Sequence, residues 1–183
     1  MALTPSKMVS LGTLAPSFAL PDTEGKTVSL NDFENAPGLL VIFLCNHCPY
    51  VVHVRSGLAA LAKDYLAKGI AIVGINANDA KKYPADSPAK MKEEKRLAGY
   101  LFPYLYDETQ CVARAYEAAC TPDFYLFDRN LKLVYRGQMD SSRPGSSTPV
   151  TGSDLRQAMD ALLAGRPISP DQRPSVGCSI KWK

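Results

Sequence analysis

The chain has 183 residues, 46% of them hydrophobic, and its 21 basic against 18 acidic side chains leave a formal charge of only +3. That length builds one well-buried core and is short for two, so one domain is expected over 1–183, with its core at about 10–165 and a tail at 166–183. No long run of one charge sign argues for nucleic acid or an anionic membrane, and the longest apolar stretch, Leu39 to Cys45, falls far below the roughly 20 residues of a membrane helix. Met1 to Leu20 holds one early lysine and no apolar run of signal-peptide length, which predicts a soluble, cytoplasmic protein.

In chain order, Phe18 and Leu20 alternate with their neighbours, Pro21 to Lys26 supplies turn residues, and Val28 and Leu30 resume the alternation, predicting a hairpin. Leu39 to Leu44 is a continuous apolar run behind Pro37-Gly38, the pattern of a strand buried on both faces. Val51, Val54, Leu58, Leu61, Tyr65 and Leu66 then recur at helical spacing over 49–68, and Gly69 stands where a left-handed cap belongs. Ile70 to Ile75 is a second buried strand, making a right-handed parallel unit.

After a polar loop, Ser87 and Pro88 open a basic helix that ends near Gly99. Phe102 to Tyr106 reads as a short strand, and Asp107 or Thr109 caps a helix through Tyr116. Phe124 to Phe127 and Leu131 to Tyr135 flank Asp128-Arg129-Asn130 as an antiparallel hairpin. The Ser, Pro, Gly and Thr of 141–153 predict a mobile loop, and a last helix runs over about 154–164. The tail has no assigned structure, although Ile180 and Trp182 are costly to leave in water.

Five cysteines at irregular spacing fit a disulfide framework poorly and point instead to redox or metal chemistry in a reducing compartment. Cys45-Asn46-His47-Cys48 bridges the end of the buried strand and the start of the long helix, where unpaired backbone N–H groups and the helix dipole favour a thiolate. The expected chemistry is attack by Cys45 on a partner sulfur, followed by displacement from Cys48 to close the intramolecular bridge. A partly positive His47 beside the pair would favour the Cys45 thiolate. His53, further along the same helix, reads as a solvated polar residue without a role. Cys111 reads as core.

The order strand, helix, strand, helix, strand, strand, helix, with a hairpin in front and an insertion after the second core strand, resembles the thioredoxin fold, an α/β class with a central mixed sheet flanked by helices. The decoration resembles its peroxiredoxin-like and redoxin branch, the relatives of alkyl hydroperoxide reductase and thiol-specific antioxidant proteins. The resemblance implies a cis bond at Thr121-Pro122, opposite the cysteine pair, with the Thr121 backbone and Pro122 receiving an extended substrate. It also places Cys120 near the pair, either as a third redox thiol or as a buried structural cysteine. Asp79 and Asp123 are the candidate proton carriers. Cys178 either folds back towards the pair or lies under Trp182.

Leu44 replaces the tryptophan that typical thioredoxins carry before the first cysteine. Cys45 stands where typical peroxiredoxins place a hydroxyl relative to Cys48, which argues against efficient peroxide reduction. The expected function is thiol–disulfide exchange in redox homeostasis, without cofactor or resident metal, on a protein or low-molecular-weight disulfide with a thiol reductant. The alternatives are a peroxiredoxin-like peroxide reductase and a metal-binding module using Cys45, Cys48 and His47, Cys120 or Cys178. An oxidation-dependent protein sensor is a further reading.

Overall fold

The computed structural model describes residues 3–183, so the first two residues of the amino-terminal segment read above lie outside it. Its elements in chain order are β1 (Leu3–Pro5), β2 (Ala19–Pro21), β3 (Thr27–Ser29), β4 (Gly38–Phe43), α1 (Pro49–Leu66), β5 (Ala71–Asn76), α2 (Pro88–Ala98) and β6 (Tyr104–Tyr106). The order continues with α3 (Cys111–Ala115), β7 (Cys120–Thr121), β8 (Asp123–Asp128), β9 (Leu133–Gly137), α4 (Ser153–Leu163) and β10 (Val176–Ser179).

A five-stranded mixed sheet in the order β6-β5-β4-β8-β9 forms the centre, as expected for the fold class. β4, β5 and β6 run parallel, while β8 and β9 are antiparallel additions. All six residues of β4 are buried because alternate side chains enter opposite layers. Leu40 and Ile42 pack with Val51, Val54, Leu58 and Leu61 of α1 and with Leu155 and Met159 of α4. Leu39, Val41 and Phe43 enter the other layer, with Phe18 and Leu20 of the first hairpin and Val112 and Tyr116 of the α3 segment. Each such side chain, fully buried, contributes about 1.5–3 kcal/mol.

Helix ends follow the sequence signals in α1 and α2. Pro49 and Pro88 occupy first-turn positions, and Gly99 closes α2 in the left-handed conformation with φ of 71°. At α3 the reading differs: the N-cap is Gln110, in the left-handed region at φ 65°, while Asp107 accepts from the Ala113 amide at 2.9 Å. Cys111 is exposed rather than core, because Val112, Ala113 and Tyr116 take the inward face of this single short turn.

Two further expectations change. The segment over 141–153 is tied down: Asp140 accepts from the amides of Ser142, Thr151 and Gly152, and His53 Nε2 lies 2.7 Å from Ser142 Oγ. His53 therefore anchors this loop to α1. The tail carries β10, the middle strand of a second sheet ordered β1-β10-β7. β10 pairs antiparallel with both neighbours, Cys178 opposite Leu3 on one side and Thr121 on the other. Beyond it, Ile180 is buried, and Arg114 lies 4.4 Å above the Trp182 ring. Among the described residues no helix is long and apolar enough to cross a membrane.

Candidate redox site

The position of Cys48 follows from the residue behind it. Proline lacks an N–H and has a fixed φ, which suits the first turn of a helix, and it pushes the preceding residue into extended backbone. Cys48 accordingly sits at the N-cap of α1 with φ −71° and ψ 124°. Its sulfur lies at the positive end of the helix dipole. Cys45 leads out of the central strand, so both sulfurs gather at the carboxyl end of β4 and both residues are buried.

Around them, Cys45 Sγ is 3.3 Å from Thr121 Oγ1, while Cys48 Sγ is 3.2 Å from the Thr121 carbonyl oxygen and 2.8 Å from Cys178 Sγ. The Thr121-Pro122 bond is cis. The two thiols of the pair share a proton unequally. Cys48 is lowered to about 5, first by the hydrogen bond from Cys45 and then, against burial, by the Cys178 thiol and the Val51 amide. Cys45 is held well above the ordinary thiol range by the same shared bond, by burial and by the Asp86 charge.

Cys48 makes no cap hydrogen bond of full geometry, so the Val51 amide acts through proximity rather than alignment. As a thiol, Cys48 donates to the Thr121 carbonyl and to the Cys178 sulfur. The direction of these shifts favours charge at Cys48, whereas the sequence reading expects Cys45 to attack.

The residues between the cysteines are held by the insertion that follows β5. Asp86 is fully buried; its Oδ1 accepts from the Asn46 amide at 2.8 Å and its Oδ2 from Asn78 Nδ2 at 2.7 Å. His47 Nδ1 lies 2.7 Å from Asp86 Oδ2, and its ring stacks on Tyr83 with centroids 5.6 Å apart. Nδ1 has no hydrogen bond of good geometry, so this is a close contact with Asp86 rather than an aligned bond. Asn46 donates to the Ala85 carbonyl and accepts from Tyr104 Oη at 3.0 Å. The Pro84-Ala85-Asp86 turn therefore positions the whole loop.

Asp86 was not among the sequence candidates. Asp79 and Asp123 were, and neither reaches the sulfurs: Asp79 caps its own turn by accepting from the Lys81 amide, and Asp123 accepts from Tyr125 Oη at 2.9 Å within the core. Burial pushes the Asp123 carboxyl up to about 7. Cys120 is buried with its sulfur 3.8 Å from the Pro122 carbonyl, and burial raises its thiol far above the ordinary range.

As for metals, Cys45, His47 and Asp86 bring three ligand atoms within 4.8 Å of one another. This is a different set from the one the sequence suggested, since Cys48, Cys120 and Cys178 are absent from it. Both Asp86 oxygens already accept hydrogen bonds, so a cation there would have to displace them.

A small cleft is lined by Tyr50, His53, Pro122, Ser142, Arg143 and Val176, and neither cysteine of the pair lines it. The Thr121 edge expected to receive a substrate strand is occupied by β10.

Known proteins share this architecture. A crystal structure of an uncharacterized conserved protein from Geobacillus kaustophilus is 56% identical, covers 100% of this chain and 97% of that one, and superposes with a TM-score of 0.98. The crystal structure of a putative thiol:disulfide interchange protein DsbE from Chlorobium tepidum is 25% identical, with coverage of 84% and 98% and a TM-score of 0.66. In sequence, the thiol-disulfide oxidoreductase ResA of Geobacillus thermodenitrificans (strain NG80-2) is 24% identical over 161 residues, 87% of this chain and 82% of ResA. The AhpC/TSA family pattern matches residues 11–136, a span that runs from before the first hairpin into β9 and encloses Cys45, His47, Cys48, Thr121 and Pro122, and the chain therefore belongs to the AhpC/TSA family.

Proposed function

We propose that the protein is a thiol–disulfide oxidoreductase whose redox centre is Cys45 and Cys48. The observation that carries this reading is the burial of both cysteines where β4 passes into α1, with both sulfurs against Thr121, Cys45 Sγ 3.3 Å from its Oγ1 and Cys48 Sγ 3.2 Å from its carbonyl oxygen. The Cys48 thiolate attacks one sulfur of a substrate disulfide, forming a mixed disulfide and releasing the other half as a thiolate. Cys45 then attacks the Cys48 sulfur, closing the intramolecular bridge and releasing the second half. The Cys45 proton and one from solvent convert both released thiolates to thiols, and an external thiol reductant restores the pair.

His47 is partly open to solvent, with a ring nitrogen within 4.8 Å of Cys45 Sγ. It carries the proton between Cys45 and solvent, while Asp86 positions it. Because β10 pairs with Thr121 and Cys48 has no exposed surface, the strand must draw back for any substrate; a low-molecular-weight disulfide needs the smaller opening, and Thr121 and Pro122 receive a protein substrate only when β10 leaves them. The five cysteines are suited to a reducing cytoplasm.

The test is a redox titration in glutathione buffers with alkylation and mass mapping. A reversible Cys45–Cys48 bridge lost in Cys45→Ser and Cys48→Ser supports the reading, and its absence at every potential refutes it. Peroxide reduction is the second reading, favoured by the same Cys48 thiolate at a helix N-terminus. It predicts that Cys48 consumes a hydroperoxide faster than a disulfide.

A further inference from the structure

The tail strand meets the redox site at one point. Cys178 stands opposite Thr121 in the β10–β7 register, and its sulfur is 2.8 Å from Cys48 Sγ. The strand is held on both sides of that contact. Ser175 Oγ donates to the Pro122 carbonyl at 2.6 Å, and Ser6 and Ser175 exchange hydrogen bonds at 2.8 and 2.9 Å. Beyond the cysteine, the Ile180 amide donates to the Ala119 carbonyl at 3.2 Å, and the Lys181 amide donates to Asn78 Oδ1 at 2.8 Å.

Gly177 permits this fit. A Cβ there would stand 2.0 Å from the Thr121 carbonyl oxygen, so only glycine lets the strand lie this close to the backbone beside Cys48. Bringing the two sulfurs to a disulfide length of about 2.0 Å requires a shift of under about 1 Å. The strand that pairs with Thr121 is thus supplied by the chain itself, with a thiol against Cys48.

We propose that Cys178 is a third redox thiol of the site, resolving the mixed disulfide on Cys48 ahead of Cys45 to form a Cys48–Cys178 bridge. The inference rests on the oxidoreductase reading and deepens it. The oxidant is a low-molecular-weight disulfide. Once Cys48 carries one half of it, the Cys178 thiol attacks the Cys48 sulfur; the Cys48–Cys178 bond forms, the bond to the substrate half breaks, and the Cys178 proton leaves with that half as a free thiol. Cys45 then attacks Cys48, giving the Cys45–Cys48 bridge and returning Cys178 to the thiol form, with no net change in electrons. Burial and then its bond to Cys48 push the Cys178 thiol up to about 12, and the mixed disulfide on Cys48 removes the second of these two causes.

Full-length reduced protein is mixed with glutathione disulfide at pH 7, quenched in acid over a time series, alkylated and mapped by mass. In Cys45→Ser the expected product is a Cys48–Cys178 disulfide, at least tenfold in excess over the Cys48–glutathione adduct. In Cys178→Ser that adduct is expected to live at least tenfold longer than in the wild type. A Cys45→Ser protein that holds the adduct while Cys178 is alkylated overturns the proposal and leaves the oxidoreductase reading standing. Should the variants fail to fold, the wild-type series decides: a Cys48–Cys178 species that rises before the Cys45–Cys48 bridge supports the proposal, and its absence at all times refutes it. If Cys48 takes no glutathione in any form, both readings fall.

Discussion

Replacing Gly177 by alanine tests how the tail strand controls the buried pair. The new methyl group would meet the Thr121 carbonyl oxygen at 2.0 Å, its carbonyl carbon at 2.7 Å and the Pro122 nitrogen at 3.3 Å, all backbone atoms that cannot rotate away. Restoring a normal contact of about 3.5 Å moves β10 outward by about 1.5 Å. Overpacking of this kind costs about 1–3 kcal/mol, and each weakened hydrogen bond to β7 adds about 1 kcal/mol. The smaller freedom of alanine in the unfolded chain returns only about 0.4–1 kcal/mol. A local loss of about 2–4 kcal/mol, at about 1.4 kcal/mol per factor of ten, raises the population of the open strand by roughly 30- to 700-fold. Iodoacetamide labelling of Cys48 in the reduced protein at pH 7 should accelerate accordingly, because opening precedes labelling of a sulfur with no exposed surface. A labelling rate within threefold of wild type, with an unchanged urea midpoint, would refute the claim that β10 gates Cys48.

Three further outcomes follow from the same geometry. Asp86→Ala removes the buried acceptor for Asn46 and Asn78 and the partner of His47, so a loss of about 3–5 kcal/mol in urea denaturation is expected, together with slower disulfide exchange; unchanged exchange would deny Asp86 its positioning role. With Cys48 lowered to about 5, its alkylation rate should be nearly flat from pH 6 to 8 and fall through a midpoint near 5, while Cys45→Ala moves that midpoint upward by removing the main donor. Asp123 is raised from the ordinary 3.8 to about 7, so between these values the folded state binds the extra proton and stability declines as pH rises, by up to about 4 kcal/mol in all. Asp123→Asn should flatten that decline in urea midpoints measured from pH 4 to 8.

The local order of elements was open to reading from the chain because each element carries its own period and punctuation. The apolar run at 39–44 had no polar face to offer water, and Pro49 and Pro88 could begin a helix but not continue one. These are properties of neighbours in sequence, and with them came the place of Cys45 and Cys48 at the carboxyl end of the central strand. The residues that tune the pair come from elsewhere. Asp86 lies between two prolines in a segment that reads as a turn, and nothing local marks it as buried; only the folding of the insertion over Asn46 and His47 makes it their acceptor. Cys111 sat at a helical position that suggested core, but a helix of one turn buries only one side.

The tail was least accessible to sequence reading. Val176–Ser179 is too short to announce a strand, and its partners β1 and β7 stand far away in the chain, so its backbone groups acquire meaning only when those edges are present. The sequence by itself determined the α/β order and the cysteine pair at a helix start, since both depend on local backbone preference and hydrophobic period. Which third sulfur lies against the pair was decided by the tertiary structure, because that contact joins atoms that the chain separates by 130 residues.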